Sequence, residues 1–122
     1  WKSFIRSRPR LQSGRILRDT SWAALCIPRG QIPVDPKTGA VPEGIAAQAE
    51  QSCKNVAALL EAAGTKLENV FKTTCFLRDM ADFAAFMRYT RSISCRSPRA
   101  ACVAVRELPK GVLCEIEAIA AK

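Results

Sequence analysis

Apolar and polar positions alternate with two different periods along this chain, and the changes of period outline its elements. From Gly30 the residues Gln31, Ile32, Pro33, Val34, Asp35, Pro36, Lys37, Thr38 and Gly39 read as a strand end running into a Pro/Asp/Gly turn. Beyond it Ile45, Ala49, Cys53, Val56, Leu60 and Ala63 recur every three or four positions, which predicts an amphipathic helix that Gly64 is placed to stop. Val70 to Leu77 is β-branched and aromatic and predicts a strand. Asp79 and Asp82 then open a second helical segment with Phe83 and Phe86 on one face, while Met87 to Ser97 lacks an apolar stripe and makes a poor continuation. Cys102 to Arg106 alternates as a strand, Leu108 to Gly111 forms a turn, and Val112 to Ala120 a final strand. Two helices covering one side of an antiparallel or mixed sheet suit this order, so the expected class is α+β, in one domain over residues 1–122.

The final strand carries the first candidate chemistry. Leu113, Glu115, Glu117 and Ile119 share one face and Cys114, Ile116 and Ala118 the other, so two carboxylates sit among apolar neighbours. On an edge strand they would form a solvated acidic face. On a central strand they need a partner or a task, because burying an unpaired charge is costly. One glutamate activating water while a nearby cation holds a substrate carboxylate is the sharper reading. Antiparallel pairing across the 108–111 turn would set Cys102 opposite the Glu115–Glu117 region, with Arg99 just ahead of it to bind an anion.

Composition narrows the chemistry further. The chain has no histidine, which excludes Ser/His and Cys/His nucleophiles and any Cys/His zinc site. Its six cysteines form no CxxC pair, and those in apolar-periodic segments are expected to be buried thiols rather than disulfides. Glycine-rich phosphate-binding loops are absent, so nucleotide binding has no motif support. No run of 18 apolar residues occurs and the basic first residues lack a secretory pattern, which predicts a soluble cytoplasmic protein without membrane contact.

The net charge of +8 suggests nucleic acid until it is located. Residues 1–29 hold a net +6 and residues 87–101 a net +4, leaving −2 for everything else. These two segments use ten Arg and one Lys, the remainder two Arg and six Lys. Two compositions are therefore joined in one chain, and outside the basic segments no electrostatic footprint for RNA remains.

The runs GQIPVDPKTGAVPEGIAAQAEQSCKNVAALLEAAG, VFKTTCFLRDMADFAAF and CVAVRELPKGVLCEIEAIA together resemble the RidA/YjgF reactive-intermediate deaminase family, also known as the L-PSP endoribonuclease or translation-inhibitor family. The resemblance covers Gly30–Phe86 and Cys102–Ala120. It implies a chorismate-mutase-like protomer with a mixed sheet and two helices on one face, and a homotrimer with sites in the clefts between subunits. The implied reaction is hydrolysis of 2-imino acids to 2-oxo acids and ammonia without metal or cofactor. Carried over residue by residue, Glu115 positions water, Cys102 contributes backbone contacts, and Gly30 shapes the pocket; the strand pattern alone does not choose Glu115 over Glu117. An RNA-binding translation inhibitor or endoribonuclease, and a trimeric scaffold with an inactive site, are the alternatives the same family leaves open.

Three departures interrupt the resemblance. The family's Pro-Ala-Arg-Ser-Cys is Pro98-Arg99-Ala100-Ala101-Cys102 here, which puts Ala100 at the substrate-clamping arginine. Its Ser-Gly-Gln is Arg29-Gly30-Gln31, and its Gly-Pro-Tyr-Ser-Gln is Gly14-Arg15-Ile16-Leu17-Arg18. Arg99 is the nearest substitute, but one position along a strand reverses the face, so the chain as written is expected to be weakly active or inactive. All three departures fall in the basic segments. A reading in which each triplet takes the last base of one codon and the first two of the next can spell Glu-Val-Tyr-Ala-Lys-Tyr-Phe-x-Ser-Lys-Pro-Ala-Arg-Ser from Met87–Ala101. The same shift can spell Gly-Pro-Tyr-Ser-Gln, and later Thr-Ser-Gly, from residues 13–30. One shift thus restores every missing motif without changing the length, and we read residues 13–29 and 87–101 as out-of-frame translations. Resequencing the gene across these codons, with intact mass spectrometry of its product, is expected to return the family-like residues. A product whose mass matches the printed chain would instead show the basic segments to be genuine.

Overall fold

The structure, a computed structural model, describes residues 25–91 and 100–122 together with the backbone of Asp19–Trp22. Its elements are β1 (Asp19–Trp22), β2 (Leu25–Pro28), α1 (Ile45–Ala62), β3 (Val70–Leu77), α2 (Phe83–Tyr89), β4 (Ala100–Ala104) and β5 (Cys114–Ala121), with short 3-10 turns before β3, α2 and β5. The five strands form one mixed sheet in the order β1-β2-β5-β3-β4, in which only β3 and β4 run parallel. Both helices pack on one face of it, as the expected α+β class requires. No helix among the described residues is long and apolar enough to cross a membrane.

The core lies between that face and the helices. Ala49, Cys53, Val56 and Leu60 of α1 and Phe86 of α2 meet Cys26, Val70, Cys75, Leu77, Cys114, Ile116, Ala118 and Ala120 of the strands. The helix stripe read from the sequence is the buried stripe, with Ile45 and Ala63 packed at its ends. Gly64 ends the helix with φ at 83°, a left-handed geometry that costs glycine no Cβ clash. β3 spans the predicted residues. Two polar side chains on the buried face of α1, Gln48 and Ser52, have structural tasks. The Gln48 Oε1 accepts from Leu113 N–H at 2.7 Å and its Nε2 donates to Pro42 O at 3.0 Å, tying the entry of β5 to the loop before the helix. Asn55 similarly donates from Nδ2 to Ile32 O and Val34 O at 3.1 and 2.9 Å, pinning the segment that follows Gly30.

Three sequence expectations are corrected. β4 does not pair with β5 across the 108–111 turn; β3 lies between them, pairing parallel with β4 and antiparallel with β5. The physical reason is the connection: β3 and β4 are joined through α2, the crossover that parallel neighbours require, and the chain then passes through Pro109–Gly111 to reach β5 on the far side of β3. Phe83 does not share the buried face of Phe86. It is the first residue of α2 and is 41% exposed, whereas Phe86 is fully buried. The last two strands are also displaced, to Ala100–Ala104 and Cys114–Ala121, because Val112 is buried ahead of the ladder rather than in it.

Cys53, Cys75 and Cys114 are buried free thiols and Cys102 is a half-buried one, as the composition suggested; Cys26 is buried too, and Cys95 lies outside the described residues. Burial pushes the thiols of Cys53 and Cys75 up to about 12 and that of Cys114 to about 11, so they act as small apolar groups rather than nucleophiles. Gln48→Leu is expected to lower stability by about 1–3 kcal/mol in urea denaturation, because it strands the Leu113 N–H and the Pro42 carbonyl without their partner.

Candidate functional site

The site begins with the alternation of β5. Cys114, Ile116, Ala118 and Ala120 are at most 1% exposed and face the helices, which leaves Glu115, Glu117 and Ile119 half-buried on the open face of the sheet. β5 is the middle strand of five, so the edge-strand account of its glutamates does not hold. Opposite Glu115 on β3 is Phe76, and opposite Glu117 is Thr74.

On the other side of Glu115 is Gly30. Gln31 and Ile116 exchange two backbone hydrogen bonds, Gln31 N–H to Ile116 O at 2.7 Å and Ile116 N–H to Gln31 O at 3.0 Å, which lay the segment after β2 along β5. A Cβ on Gly30 would fall on Glu115 Oε1 and within 3.1 Å of its Cδ. Real side chains do not approach so closely, so a glycine at position 30 is the condition for this orientation of the carboxylate. The Gln31 side chain braces the same turn by donating to Arg29 O and Gly30 O at 2.7 and 3.2 Å.

Desolvation, with a smaller contribution from the negative charge of Glu117, raises the Glu115 carboxyl above the ordinary carboxylate range. Among the described residues no cation is paired with it. A half-buried carboxylate with raised proton affinity, held rigidly on a central strand, is suited to orient water and accept its proton. No group of three or more His, Cys, Asp or Glu among the described residues is arranged to hold a metal ion.

Cys102 is placed elsewhere than the sequence pattern suggested. It stands opposite Cys75 on β4, with its thiol toward the helix-side core and away from the face of Glu115. Two strand spacings, roughly 10 Å, separate it from β5. Its backbone is better situated than its side chain. Val105 N–H donates inward to Leu77 O at 2.9 Å, and because amide direction alternates along a strand, the N–H of Cys102 points off the free edge of the sheet. Ala100 opens β4 at an exposed position, and Arg99 lies outside the described residues. The structure therefore brings Gly30 and Glu115 together and sets Cys102 apart from them. Sequence reading missed Phe76, whose position on the Glu115 face follows only from the β3–β5 register.

The family model for endoribonuclease L-PSP matches residues 23–122. A curated relative from Salmonella typhimurium, named 2-iminobutanoate/2-iminopropanoate deaminase, is 44% identical over 113 residues, covering 89% of this chain and 88% of its own length. The crystal structure of the YjgF gene product of E. coli superposes with a TM-score of 0.79 at 42% identity, covering 91% of each chain. That of E. coli TdcF with bound serine gives a TM-score of 0.79 at 35% identity, covering 89% of each. With its fold, its last-strand glutamate and this similarity over nearly its whole length, the chain belongs to the RidA/YjgF family of the endoribonuclease L-PSP group.

Proposed function

We propose that this chain hydrolyses 2-imino acids to 2-oxo acids and ammonia, using its own residues and no metal or cofactor. The observation that carries this reading is the seat of Glu115, a half-buried carboxylate on a central strand, opposite Phe76 and lodged where Gly30 leaves room. The name of the Salmonella relative supplies the substrate class, and the serine bound to the TdcF structure shows an amino-acid-sized ligand on the same fold.

In the proposed reaction Glu115 orients a water molecule and takes its proton as the oxygen adds to the imine carbon, so that C=N becomes C–N in a tetrahedral adduct. Returning that proton to nitrogen gives a carbinolamine; Glu115 then takes the hydroxyl proton and passes it to the amine nitrogen, so that the C–N bond breaks and ammonia leaves as the C=O bond forms. Imine and water are thereby converted to oxo acid and ammonia, with no other reactant. The outward N–H of Cys102 is suited to the substrate carboxylate, but it lies two strands from Glu115 in one protomer. The open sheet face also leaves Val103 45% exposed and Phe76 and Ile119 only half-covered. Both features favour a homotrimer in which a neighbouring copy covers that face and completes the site.

Glu115→Gln is expected to reduce ammonia release from 2-iminobutyrate by about 100-fold or more. Thermal denaturation at neutral pH should show no loss of stability, because a carboxyl whose folded-state proton affinity is raised stabilises the fold only when protonated. The same sign places the acid limb of kcat/KM above the ordinary value of 4.5: the basic form is lost as pH falls through the raised pKa. Gly30→Ala should lose activity by displacing the carboxylate, and its stability cost should shrink in the Gly30→Ala/Glu115→Ala double variant. Full activity in Glu115→Gln would remove Glu115 from the reaction, and full activity in Gly30→Ala would show that the reaction does not need this orientation of the carboxylate.

The printed chain has no arginine at position 100, so Ala100→Arg is expected to raise kcat/KM by at least about tenfold through a charge-assisted contact to the substrate carboxylate. Activity of the printed chain that equals the Ala100→Arg variant, and is undiminished by Arg99→Ala, would contradict this carboxylate clamp.

A further inference from the structure

The open face of β5 carries a second carboxylate that the proposed reaction leaves unused. Glu117 is two positions from Glu115 on the same face, a Cα separation of roughly 7 Å, and both side chains are half-buried. Each is flanked on β3 by an uncharged residue, Phe76 opposite Glu115 and Thr74 opposite Glu117. The other charged groups near this face are Lys72, exposed opposite Ile119 beyond Glu117, Arg78, exposed on the row of Phe76 opposite Leu113 and diagonal to Glu115, and Arg29, exposed beside Gly30. The row of β4 beyond β3 contributes only Ala101 and Val103. Among the described residues neither glutamate has an ion-pair partner, so each meets the other's charge without a counterion between them.

A carboxylate with ordinary proton affinity is a poor acceptor for the proton of water, and two influences in this geometry make Glu115 a better one. The first is the apolar flank given by Phe76. The second is the like charge of Glu117, which opposes ionisation of Glu115 without touching the substrate. The geometry points to Glu117 as a positioning residue that acts through Glu115: a fixed negative charge on the same strand face that strengthens Glu115 as the acceptor of the proton of water. This assignment rests on the deaminase reading above. The raised carboxyl of Glu115, with Glu117 as its second cause, agrees with it. The two influences are separable, since charge repulsion is screened by salt and an apolar flank is not.

The test is a carbon-detected NMR titration of the Glu115 carboxyl in the full chain, in Glu117→Gln and in Glu117→Asp, with Glu115→Gln to assign the signal. It is run at low salt and at about 1 M NaCl. Glu115 is expected to titrate at lower pH in Glu117→Gln than in the unaltered chain and close to the unaltered chain in Glu117→Asp, and high salt should narrow the difference. The acid limb of kcat/KM should move the same way, and the alkaline plateau should fall in Glu117→Gln and stay near the unaltered chain's in Glu117→Asp, because a weaker acceptor takes the proton of water more slowly. On the acid side of the unaltered chain's midpoint, Glu117→Gln should then keep about twofold or more of the fraction of plateau rate left to the unaltered chain. Should Glu117→Gln fail to fold, the salt dependence of the Glu115 titration in the unaltered chain carries the same information. A Glu115 titration indifferent to both Glu117→Gln and salt overturns the assignment. The expected titration shift in a chain that releases no ammonia at any pH, even after Ala100→Arg, overturns the deaminase reading instead, and the role of Glu117 with it.

Discussion

Everything placed at the site depends on β5 serving two environments at once. One face of the strand, Cys114, Ile116, Ala118 and Ala120, is sealed against both helices; the other presents Glu115, Glu117 and Ile119. A slip of one residue in its pairing would drive two carboxylates into the core, so the core itself holds the register and with it the side to which Glu115 points. The buried Gln48 contributes directly, since its bond to Leu113 N–H fixes the residue just before the strand begins. Glu115 is thus aimed by packing on the face it does not occupy.

That dependence accounts for what could be read from the residues and what could not. The α1 stripe and β3 were legible because a helix face and a β-branched run are local signals that the core merely accepts. The buried Gln48 and Ser52 were not legible, because their partners, Leu113 N–H and the Cys114 sulfur, lie far along the chain. Alternation in β5 pointed to a pair of glutamates without separating them. What separates them in the structure is Gly30, which clears room at Glu115 through a contact between distant segments that no period in the sequence records. The resemblance supplied the same two residues, Gly30 and Glu115, without the steric reason that joins them.

The misread pairing of β4 with β5 has the same origin, for a turn containing Pro109 and Gly111 looks alike whether its strands are neighbours or stand two apart. The β3–α2–β4 crossover decides between them, and it carries a functional consequence. By putting β3 between β4 and β5, it places the outward N–H of Cys102 at a sheet edge and Glu115 near the middle of a face. A small imino acid cannot span roughly 10 Å of sheet with its carboxylate at one end and its imine carbon at the other. Under the proposed reaction the Cys102 N–H and Glu115 can act on one such molecule only if they come from different copies of the chain, so that proposal carries a site shared between subunits with it.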